Sequence, residues 1–443
     1  MNKEKLAPKL LKFYKPNVIQ YLNQTRELFS DQLALDHFQK KRLEKLLNHA
    51  YLNTKYYRKI FDEIGLFRGY QIVWEKFSDV PLLTKEKIRK HFHELTSADI
   101  KSRKSYRNTS GGSTGEPVIF LQDKEYFERM VADTIWFAEM YGKNLGAKEI
   151  KIWGSEKDIF HEKEKWINHL INYFFNRNIF NSFHLNEDLI VKYIHQIRTL
   201  KPVMIWSYVD SVYEISRYVL LHKIQVYCPK IIVCTAGTLY PEMRQVIAGA
   251  FPDTKILNQY GSREVGILGI GEEKIRIFQQ SVFMEIFDKE TRKYREGPGN
   301  GNIVVTALNN YSMPLIRFDI GDLGESDEVE AANVKSLCRL TGRENAHIYR
   351  RDGSKIHGEL FTHLFYFLEA VTKFQVIQED YAKFQINLEI NSDQIDDKKI
   401  DILRQKINQI MEETCEIEIH IVNELPKLKS GKFQFVMTKV KHG

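Results

Sequence analysis

The chain has 443 residues, of which 43% are hydrophobic and 28% are charged, and its formal net charge is +7. This composition is ordinary for a soluble globular protein, and the length suggests two or three domains. The positive charge is mild for a mass of 52.2 kDa. It favours small anionic ligands and does not by itself indicate nucleic-acid binding, so no nucleic-acid partner is expected.

The four cysteines, Cys228, Cys234, Cys338 and Cys415, are scattered and form no C-x-x-C pair. A structural zinc site or a disulfide framework is therefore not expected, and a reducing cytoplasm fits. The first residues are polar and charged with no apolar run behind them, which argues against a signal peptide. No uncharged apolar run approaches the roughly 18 residues of a membrane span.

Residues 1–100 carry apolar side chains at helical spacing and are predicted to be helical. Within them, residues 81–88 read P-L-L-T-K-E-K-I, which predicts a loop followed by a helix that Thr84 caps. The basic residues of this segment are expected to lie on a solvated helix face.

A glycine-rich stretch follows at residues 106–120, with the sequence Y-R-N-T-S-G-G-S-T-G-E-P-V-I-F. Glycine permits positive φ, and successive backbone N–H groups in such a loop form a concavity for an anion such as phosphate. The stretch is not a Walker A loop, because the Gly-Lys-Ser/Thr ending is absent, and it is not a G-x-G-x-x-G dinucleotide loop. A plain connector is the alternative interpretation.

Helical and apolar segments alternate after this loop, which favours an α/β layered domain. Helices are predicted at residues 125–141 and 185–200. Short apolar runs at 203–206, 231–234 and 255–259 have the character of buried parallel strands.

From residue 275 the pattern becomes typical of β-strands, and the runs at 282–287 and 302–306 predict an antiparallel hairpin or barrel section. Beyond residue 342, strand-like runs and one helix predict a compact α+β tail. The sequence therefore predicts an α/β protein. Its large, multi-layer N-terminal domain (1–342) has sheets with helices plus a β-barrel-like section, and its small C-terminal domain (343–443) is α+β.

Two motifs in the N-terminal region could complete a nucleotide site. The segment N-Q-Y-G-S-R-E at 258–264 follows a predicted strand, where α/β sheets place ligands. Tyr260 is suited to stack on a base, and Glu264 to hold Mg²⁺, a hard cation that prefers carboxylate and phosphate oxygens. The alternative is an ordinary turn with a surface glutamate. Asp322 is suited to accept both ribose hydroxyls, or else it caps a turn.

Two further motifs lie at the start and near the end of the tail. Arg343 follows Gly342 and could bond ribose or phosphate oxygens; the alternative is a surface arginine. Lys432, in P-K-L-K-S-G-K, is a candidate mobile cation for a charged transition state. The alternative for Lys432 is a solvated basic tail.

Taken in this order, the five stretches resemble the adenylate-forming superfamily of acyl-CoA synthetases, peptide-synthetase adenylation domains and luciferases. The glycine loop is similar to the superfamily's phosphate loop, and the four other motifs are similar to those that follow it. Residues 39–61 and 81–85 resemble the phenylacetate–CoA ligase branch, which has relatives among capsule and surface-polysaccharide proteins. The resemblance spans about residue 39 to the C-terminus.

The resemblance implies that a small carboxylic acid reacts with ATP to give an acyl-adenylate and pyrophosphate, followed by transfer to an acceptor. The expected cofactors are ATP and Mg²⁺, and the acceptor is CoA, a carrier-protein thiol or an amine. A cytoplasmic protein of surface-polysaccharide metabolism is expected, with a homodimer as an option. The small C-terminal domain is expected to be mobile.

The resemblance also implies roles for individual residues. Lys432 and Glu264 are the expected catalytic residues, and Glu264 is also the expected Mg²⁺ ligand. The residues expected to bind ATP are Thr109, Ser110, Gly111, Gly112, Ser113, Thr114 and Gly115 at the phosphates, Gly237, Thr238, Leu239, Asn258, Gln259, Tyr260 and Gly261 around adenine with Ser262 beside them, and Asp322 and Arg343 at ribose.

Three positions depart from the superfamily's commonest form. Glu116 stands where the phosphate loop often has lysine, Asn345 stands at the hinge position, and Gln434 replaces a basic residue after the catalytic lysine. They support the rival hypothesis of a non-catalytic nucleotide-binding or scaffold protein that retains the fold. An enzyme is favoured because the charged site residues are all present.

Four aromatic residues, Trp153, Phe183, Trp206 and Tyr208, are candidates to line the acid pocket. Core packing is the alternative for each of them.

Overall fold

The computed structural model describes residues 3–110, 118–153, 171–181, 187–330, 332–343, 347–352, 355–357, 361, 364–365, 368, 370–390, 397–425 and 435–440. The chain divides into two compact units. The first contains Met1–Ile320 and Gly324–Leu340, and the second contains Gly321–Leu323 and Thr341–Gly443. Within the described ranges, no helix is both long and apolar enough to cross a membrane.

Helices form the first hundred residues, as predicted. They are α1 (Lys3–Tyr14), α2 (Pro16–Leu28), α3 (Gln32–Asn53), α4 (Lys55–Ile64), α5 (Lys85–Lys90) and α6 (Phe92–Leu95), with a small hairpin of β1 (Phe67–Arg68) and β2 (Gln71–Ile72) and two 3-10 helices at Trp74–Asp79 and Ile100–Ser102. The Asp31 carboxylate accepts backbone N–H groups at the start of α3. The predicted cap of α5 is confirmed, because the Thr84 hydroxyl accepts the Lys87 N–H.

Two strands form an antiparallel hairpin after these helices, namely β3 (Ser105–Ser110) and β4 (Val118–Asp123). Longer helices follow in the described part of the first unit, and two of them confirm the predictions for 125–141 and 185–200. They are α7 (Lys124–Met140), α8 (Glu187–Leu200), α9 (Val209–Leu221) and α10 (Pro241–Ala250).

A nine-stranded sheet forms the centre of the first unit. Its strands are β5 (Glu149–Trp153), β6 (Arg177–Asn181), β7 (Met204–Tyr208), β8 (Ile231–Thr235), β9 (Lys255–Ser262), β10 (Gly266–Gly271), β11 (Ile275–Ile277), β16 (Glu328–Glu330) and β17 (Asn333–Leu337). Their order is β16-β17-β11-β10-β9-β8-β7-β5-β6. The five strands from β5 to β9 are parallel, which confirms the prediction for the apolar runs. The other four continue the sheet in antiparallel fashion.

Helices cover both faces of this sheet, which explains why its parallel strands are apolar on both sides. On one face, Ile205 and Ile232 pack in a core with Ile194 of α8, Val212 of α9 and Ile247 of α10. On the other face, strand residues pack against α2 and α7 in a second core of Trp206, Val233, Leu257, Val18, Leu22, Trp136 and Phe137. Each fully buried aliphatic side chain contributes about 1.5–3 kcal/mol relative to exposure, so both layers stabilise the sheet.

A five-stranded sheet follows the parallel region. It contains β12 (Val282–Asp288), β13 (Lys293–Tyr294), β14 (Gly299–Ala307), β15 (Phe318–Ser326) and β18 (Arg339–Arg343), in the order β13-β12-β14-β15-β18. Strands β12 and β14 are antiparallel, from Val282 opposite Ala307 to Phe287 opposite Asn302, which confirms the predicted pairing. The division between the two units passes through β15 and β18.

The second unit has the α+β composition that the sequence predicts. Its elements are β19 (His347–Tyr349), β20 (Lys355–His357), β21 (Val371–Asp380), β22 (Lys383–Ile390), α11 (Asp397–Met411), β23 (Glu416–Ile421) and β24 (Val436–Thr438). Four strands form a sheet in the order β23-β22-β21-β24. Phe384 and Ile386 of this sheet pack with Leu403 and Ile407 of α11 in a core of their own.

Candidate active site

The glycine loop lies between the two strands of the β3–β4 hairpin. Its arms are paired, with Thr109 opposite Ile119 and Ser110 opposite Val118. The loop residues predicted to cradle phosphate, Gly111, Gly112, Ser113, Thr114 and Gly115, lie outside the described residues, as does Glu116. The hairpin therefore fixes where the loop leaves and re-enters the fold.

Gln122 of β4 joins this hairpin to the turn that carries Glu264. Its side chain donates to the backbone carbonyls of Arg263 at 2.9 Å and Glu264 at 3.2 Å. In turn, its carbonyl oxygen accepts from the Asn108 amide at 3.0 Å. Gln122 is buried, so water does not compete for these hydrogen bonds. Gln122 was not among the predicted site residues, although a glutamine at the end of the apolar run V-I-F-L is a signal of a buried polar role.

The residues expected around adenine lie at the carboxyl-terminal edge of the parallel strands. Gly237, Thr238 and Leu239 follow one residue after the end of β8, and residues 258–262 form the last part of the neighbouring strand β9. Gln259 donates to the Thr235 hydroxyl at 3.3 Å, which links the two strands. Open α/β sheets bind ligands at this edge, so the structure brings these predicted residues together in a suitable place.

Glu264 lies just beyond β9, and its side chain is only 4% exposed. The Lys85 ammonium lies 3.2 Å from the Glu264 carboxylate, and the Lys85 side chain is 23% exposed. The prediction of a solvated helix face is therefore wrong for Lys85, which is the first residue of α5 and forms an inward ion pair. The sequence could not show this pair because its members are far apart in the chain.

The ion pair determines the protonation of the carboxyl group. Burial by itself raises the pKa of Glu264, but the adjacent Lys85 ammonium outweighs burial and lowers the pKa below its ordinary value. Glu264 is therefore an anion at neutral pH. The alternative interpretation of Glu264 as a surface residue is excluded by its burial.

Backbone pairing holds the segment before Lys85 in place. The Leu83 N–H donates to the Arg317 carbonyl at 2.9 Å, and the Asp319 N–H donates to the Leu83 carbonyl at 2.9 Å. Arg317 is buried and forms an ion pair with Glu285 at 3.1 Å. The start of β15 therefore positions the helix that brings Lys85 to Glu264.

Two glycines allow the close packing of β9 and β10 beside Glu264. A Cβ on Gly261 would lie 2.5 Å from the Gly266 carbonyl oxygen, and one on Gly266 would lie 2.5 Å from the Tyr126 hydroxyl. Gly266 also has a φ of +73°, which L-residues rarely adopt. The Tyr126 hydroxyl is buried next to this turn, and burial raises the pKa of Tyr126 well above its usual value, so it remains protonated.

The expected ribose ligands lie in the second unit. Asp322 is on β15, and Arg343 ends the neighbouring strand β18; the structure describes the backbone of Arg343 and not its side chain. Lys432, Asn345 and Gln434 lie outside the described residues. Their predicted roles remain predictions.

The aromatic candidates for the acid pocket fall into two groups. Trp206 is buried and packs edge-on against Phe137 at 5.5 Å, so it is a core residue. Trp153 and Tyr208 end two parallel strands, are partly exposed, and lie 4.8 Å apart between ring centroids. Phe183 lies outside the described residues.

The described residues contain no cluster of three or more His, Cys, Asp or Glu side chains that could hold a metal by themselves. Glu264 offers one ionised carboxylate. That donor fits Mg²⁺, which commonly binds through one or two carboxylates together with substrate phosphates and water.

The chain is similar in sequence to one known domain family and to two kinds of characterised protein. Residues 348–439 match the CapK C-terminal domain. Protein CapK of Staphylococcus aureus is 25% identical over 412 residues, covering 91% of this chain and 89% of that protein. Phenylacetate-coenzyme A ligase of Aromatoleum evansii is 23% identical over 351 residues, covering 71% and 72% of the two chains.

Solved structures resemble the fold over nearly the whole chain. The crystal structure of 2-hydroxyisobutyryl-CoA ligase in the postadenylation state, in complex with 2-HIB-AMP, aligns with a TM-score of 0.66. The alignment covers 92% of this chain and 90% of that one at 14% sequence identity. The chain therefore has the fold of the adenylate-forming ligases, and its sequence relatives include CapK and the phenylacetate–CoA ligases.

Proposed function

We propose that this protein uses ATP to activate a carboxylic acid as an acyl-adenylate, with release of pyrophosphate, and then transfers the acyl group to CoA or to another thiol or amine. The buried, ionised Glu264 carries the proposal. It lies just beyond the carboxyl end of a parallel strand, where open α/β sheets bind ligands, and Gln122 joins its turn to the glycine hairpin. The fold supports the same reaction, since a structural neighbour holds an acyl-AMP.

In this proposal residues 109–115 bind the β- and γ-phosphates, and residues 237–239 and 258–261 flank adenine with Ser262 beside them. Asp322 and Arg343 hold ribose. Adenylyl transfer requires mainly positioning and cancellation of charge on phosphate oxygens, and little covalent chemistry from the protein. Glu264 would hold Mg²⁺, which would neutralise part of the charge on the phosphates.

Lys432 is the proposed cation at the reacting centre. The carboxylate oxygen of the acid attacks the α-phosphorus, the bond to the β-phosphate oxygen breaks, and pyrophosphate leaves. A lysine that reaches the α-phosphate stabilises the negative charge that develops there. The domain that carries Lys432 is proposed to be mobile, with residues 1–342 and 343–443 as the two domains, because hinge rotation can present different groups in the two half-reactions.

The acceptor and the biological setting are further parts of the proposal. A phenylacetate–coenzyme A ligase among them supports CoA as the acceptor, while a carrier-protein thiol or an amine remains an alternative. A role in surface-polysaccharide metabolism is proposed from the resemblance carried by residues 39–61 and 81–85.

The proposal is tested by pyrophosphate exchange into ATP over a panel of carboxylic and amino acids with Mg²⁺ present. We expect at least one acid to support exchange in the wild-type protein. Lys432→Ala should lower this exchange by at least about 100-fold, as loss of a well-placed charge-stabilising group does elsewhere.

Lys429→Ala is the matched control, because it removes a lysine from the same segment, and it should exchange like the wild type. Equal exchange by Lys432→Ala and Lys429→Ala would remove Lys432 from the mechanism. A protein that neither exchanges pyrophosphate with any acid nor gains thermal stability from ATP and Mg²⁺ would instead support the non-catalytic scaffold.

A further inference from the structure

Two aromatic side chains at the end of α1 are strongly exposed. Phe13 is 90% exposed and Tyr14 is 61% exposed, whereas Ala7 and Leu11 of the same helix are buried against the first unit. The helix is therefore docked by one face. Its last turn presents two adjacent aromatic rings to the solvent.

Lysines surround these rings. Residues 3–15 contain five lysines and one glutamate. Lys9 and Lys12 are exposed, and in the part of the chain that the structure describes neither has a carboxylate at ion-pair distance. The end of α1 therefore combines protruding aromatic rings with positive charge.

The same surface continues onto the first unit. The Lys15 ammonium lies 5.7 Å from the Tyr14 ring centroid and 4.7 Å from that of Phe127. Phe127 contacts Tyr106 edge-on, with centroids 6.5 Å apart, and Tyr106 is also exposed. We call Lys9, Lys12, Phe13, Tyr14, Lys15, Tyr106 and Phe127 the basic aromatic patch.

Two further lysines border the patch. Lys104 and Lys124 are exposed, and their backbones are joined by a hydrogen bond from the Lys124 N–H to the Lys104 carbonyl at 2.8 Å. Lys124 follows β4, and Lys104 precedes β3. Lys124 pairs with the buried Glu128 carboxylate at 3.5 Å, so Lys104 and the lysines at the end of α1 supply most of the positive charge of this surface.

We infer that the basic aromatic patch binds the surface of an anionic lipid bilayer. Aromatic rings insert favourably at the level of the lipid head groups, and lysines near the surface are attracted to anionic lipids. A protein partner would need a pocket complementary to each ring, whereas a bilayer accepts protruding rings of any arrangement. Two protruding rings with flanking lysines combine the two contributions that hold peripheral proteins on anionic bilayers, namely buried apolar area and electrostatic attraction.

Binding is measured by sedimentation of the full chain with vesicles of phosphatidylcholine alone or of phosphatidylcholine with phosphatidylglycerol. We expect partition onto the anionic vesicles that exceeds partition onto the neutral ones and decreases as salt is raised. Phe13→Ser/Tyr14→Ser should lower partition by at least about tenfold. Lys9→Gln/Lys12→Gln should lower it by about 30-fold, and only on anionic vesicles.

Tyr70→Ser/Leu221→Ser is the matched control, because it removes two apolar side chains that are 92% and 69% exposed elsewhere. This variant should partition like the wild type. Equal partition onto both vesicle types, or an aromatic-pair variant that behaves like the control, would overturn the inference. If the patch instead binds an acidic protein, the chain should sediment with neither type of vesicle, and this result would also overturn the inference.

The inference does not depend on the proposed enzymatic function. Pyrophosphate exchange of the Phe13→Ser/Tyr14→Ser variant should equal that of the wild type, so loss of membrane binding and loss of adenylation are distinguishable.

Discussion

Removal of the Lys85 ammonium tests whether the Glu264 carboxylate depends on it. In Lys85→Met the side chain keeps a similar length, but the buried carboxylate loses its cation. Breaking a buried ion pair by removing one partner typically costs about 3–5 kcal/mol. Because the Lys85 side chain is 23% exposed, water screens part of this interaction, and we expect a loss of about 2–4 kcal/mol in the free energy of unfolding at pH 7.

The pKa of Glu264 predicts how the stability difference between wild type and variant changes with pH. In the wild-type protein the Glu264 pKa is lowered, so the stabilisation from this group is present above the ordinary glutamate pKa and is lost as pH falls through the lowered value. In Lys85→Met burial dominates and raises the Glu264 pKa. Protonation then relieves the unpaired charge, so the difference in stability between wild type and variant should shrink as the pH is lowered from 7 toward 5.

The assay is urea unfolding of both proteins between pH 5 and pH 8. Lys90→Met, at the exposed end of the same helix, is the matched control and should stay within about 0.5 kcal/mol of the wild type. The double variant Lys85→Met/Glu264→Gln should recover much of the lost stability, because no buried charge remains. A Lys85→Met protein as stable as Lys90→Met at pH 7, or one whose deficit does not change with pH, would refute the reasoning.

Two further predictions concern the surroundings of the site. Gly266→Ala should lower stability by about 1–3 kcal/mol, because φ is +73° and the new Cβ would lie 2.5 Å from the Tyr126 hydroxyl; Gly297→Ala, with open space around its Cβ, should be near neutral in the same urea titration. Hydrogen bonds from Arg103 lower the pKa of Asp99 to about 2, so Asp99 contributes stability above about pH 4 that is lost as the pH falls toward 2. Asp99→Asn should therefore reduce the fall of the thermal unfolding midpoint between pH 4 and pH 2. A fall as large as in the wild type would contradict this role of Asp99.

Local patterns were sufficient to predict most elements of the fold. The runs at 231–234 and 255–259 form parallel strands that helices cover on both faces. Strands buried on both faces are continuously apolar, which is why the sequence could predict them. The alternation at 282–287 predicted one strand of an antiparallel pair. The sequence did not predict that four antiparallel strands widen the parallel sheet, because membership of a sheet depends on pairing between distant segments, and a strand such as β16 carries too few residues to show a period.

The sequence by itself determined the order of motifs along the chain, and that order indicated an adenylate-forming ligase. It also determined where the glycine loop and Glu264 occur, since both follow from local residue types. Only the tertiary structure decided which side chains control Glu264. Lys85 and Gln122 reach it from segments that are distant in sequence, and Gln122 is 142 residues from the carbonyl it binds. A pattern reports the neighbours of a residue along the chain, whereas the charge of a buried carboxyl group depends on its neighbours in space.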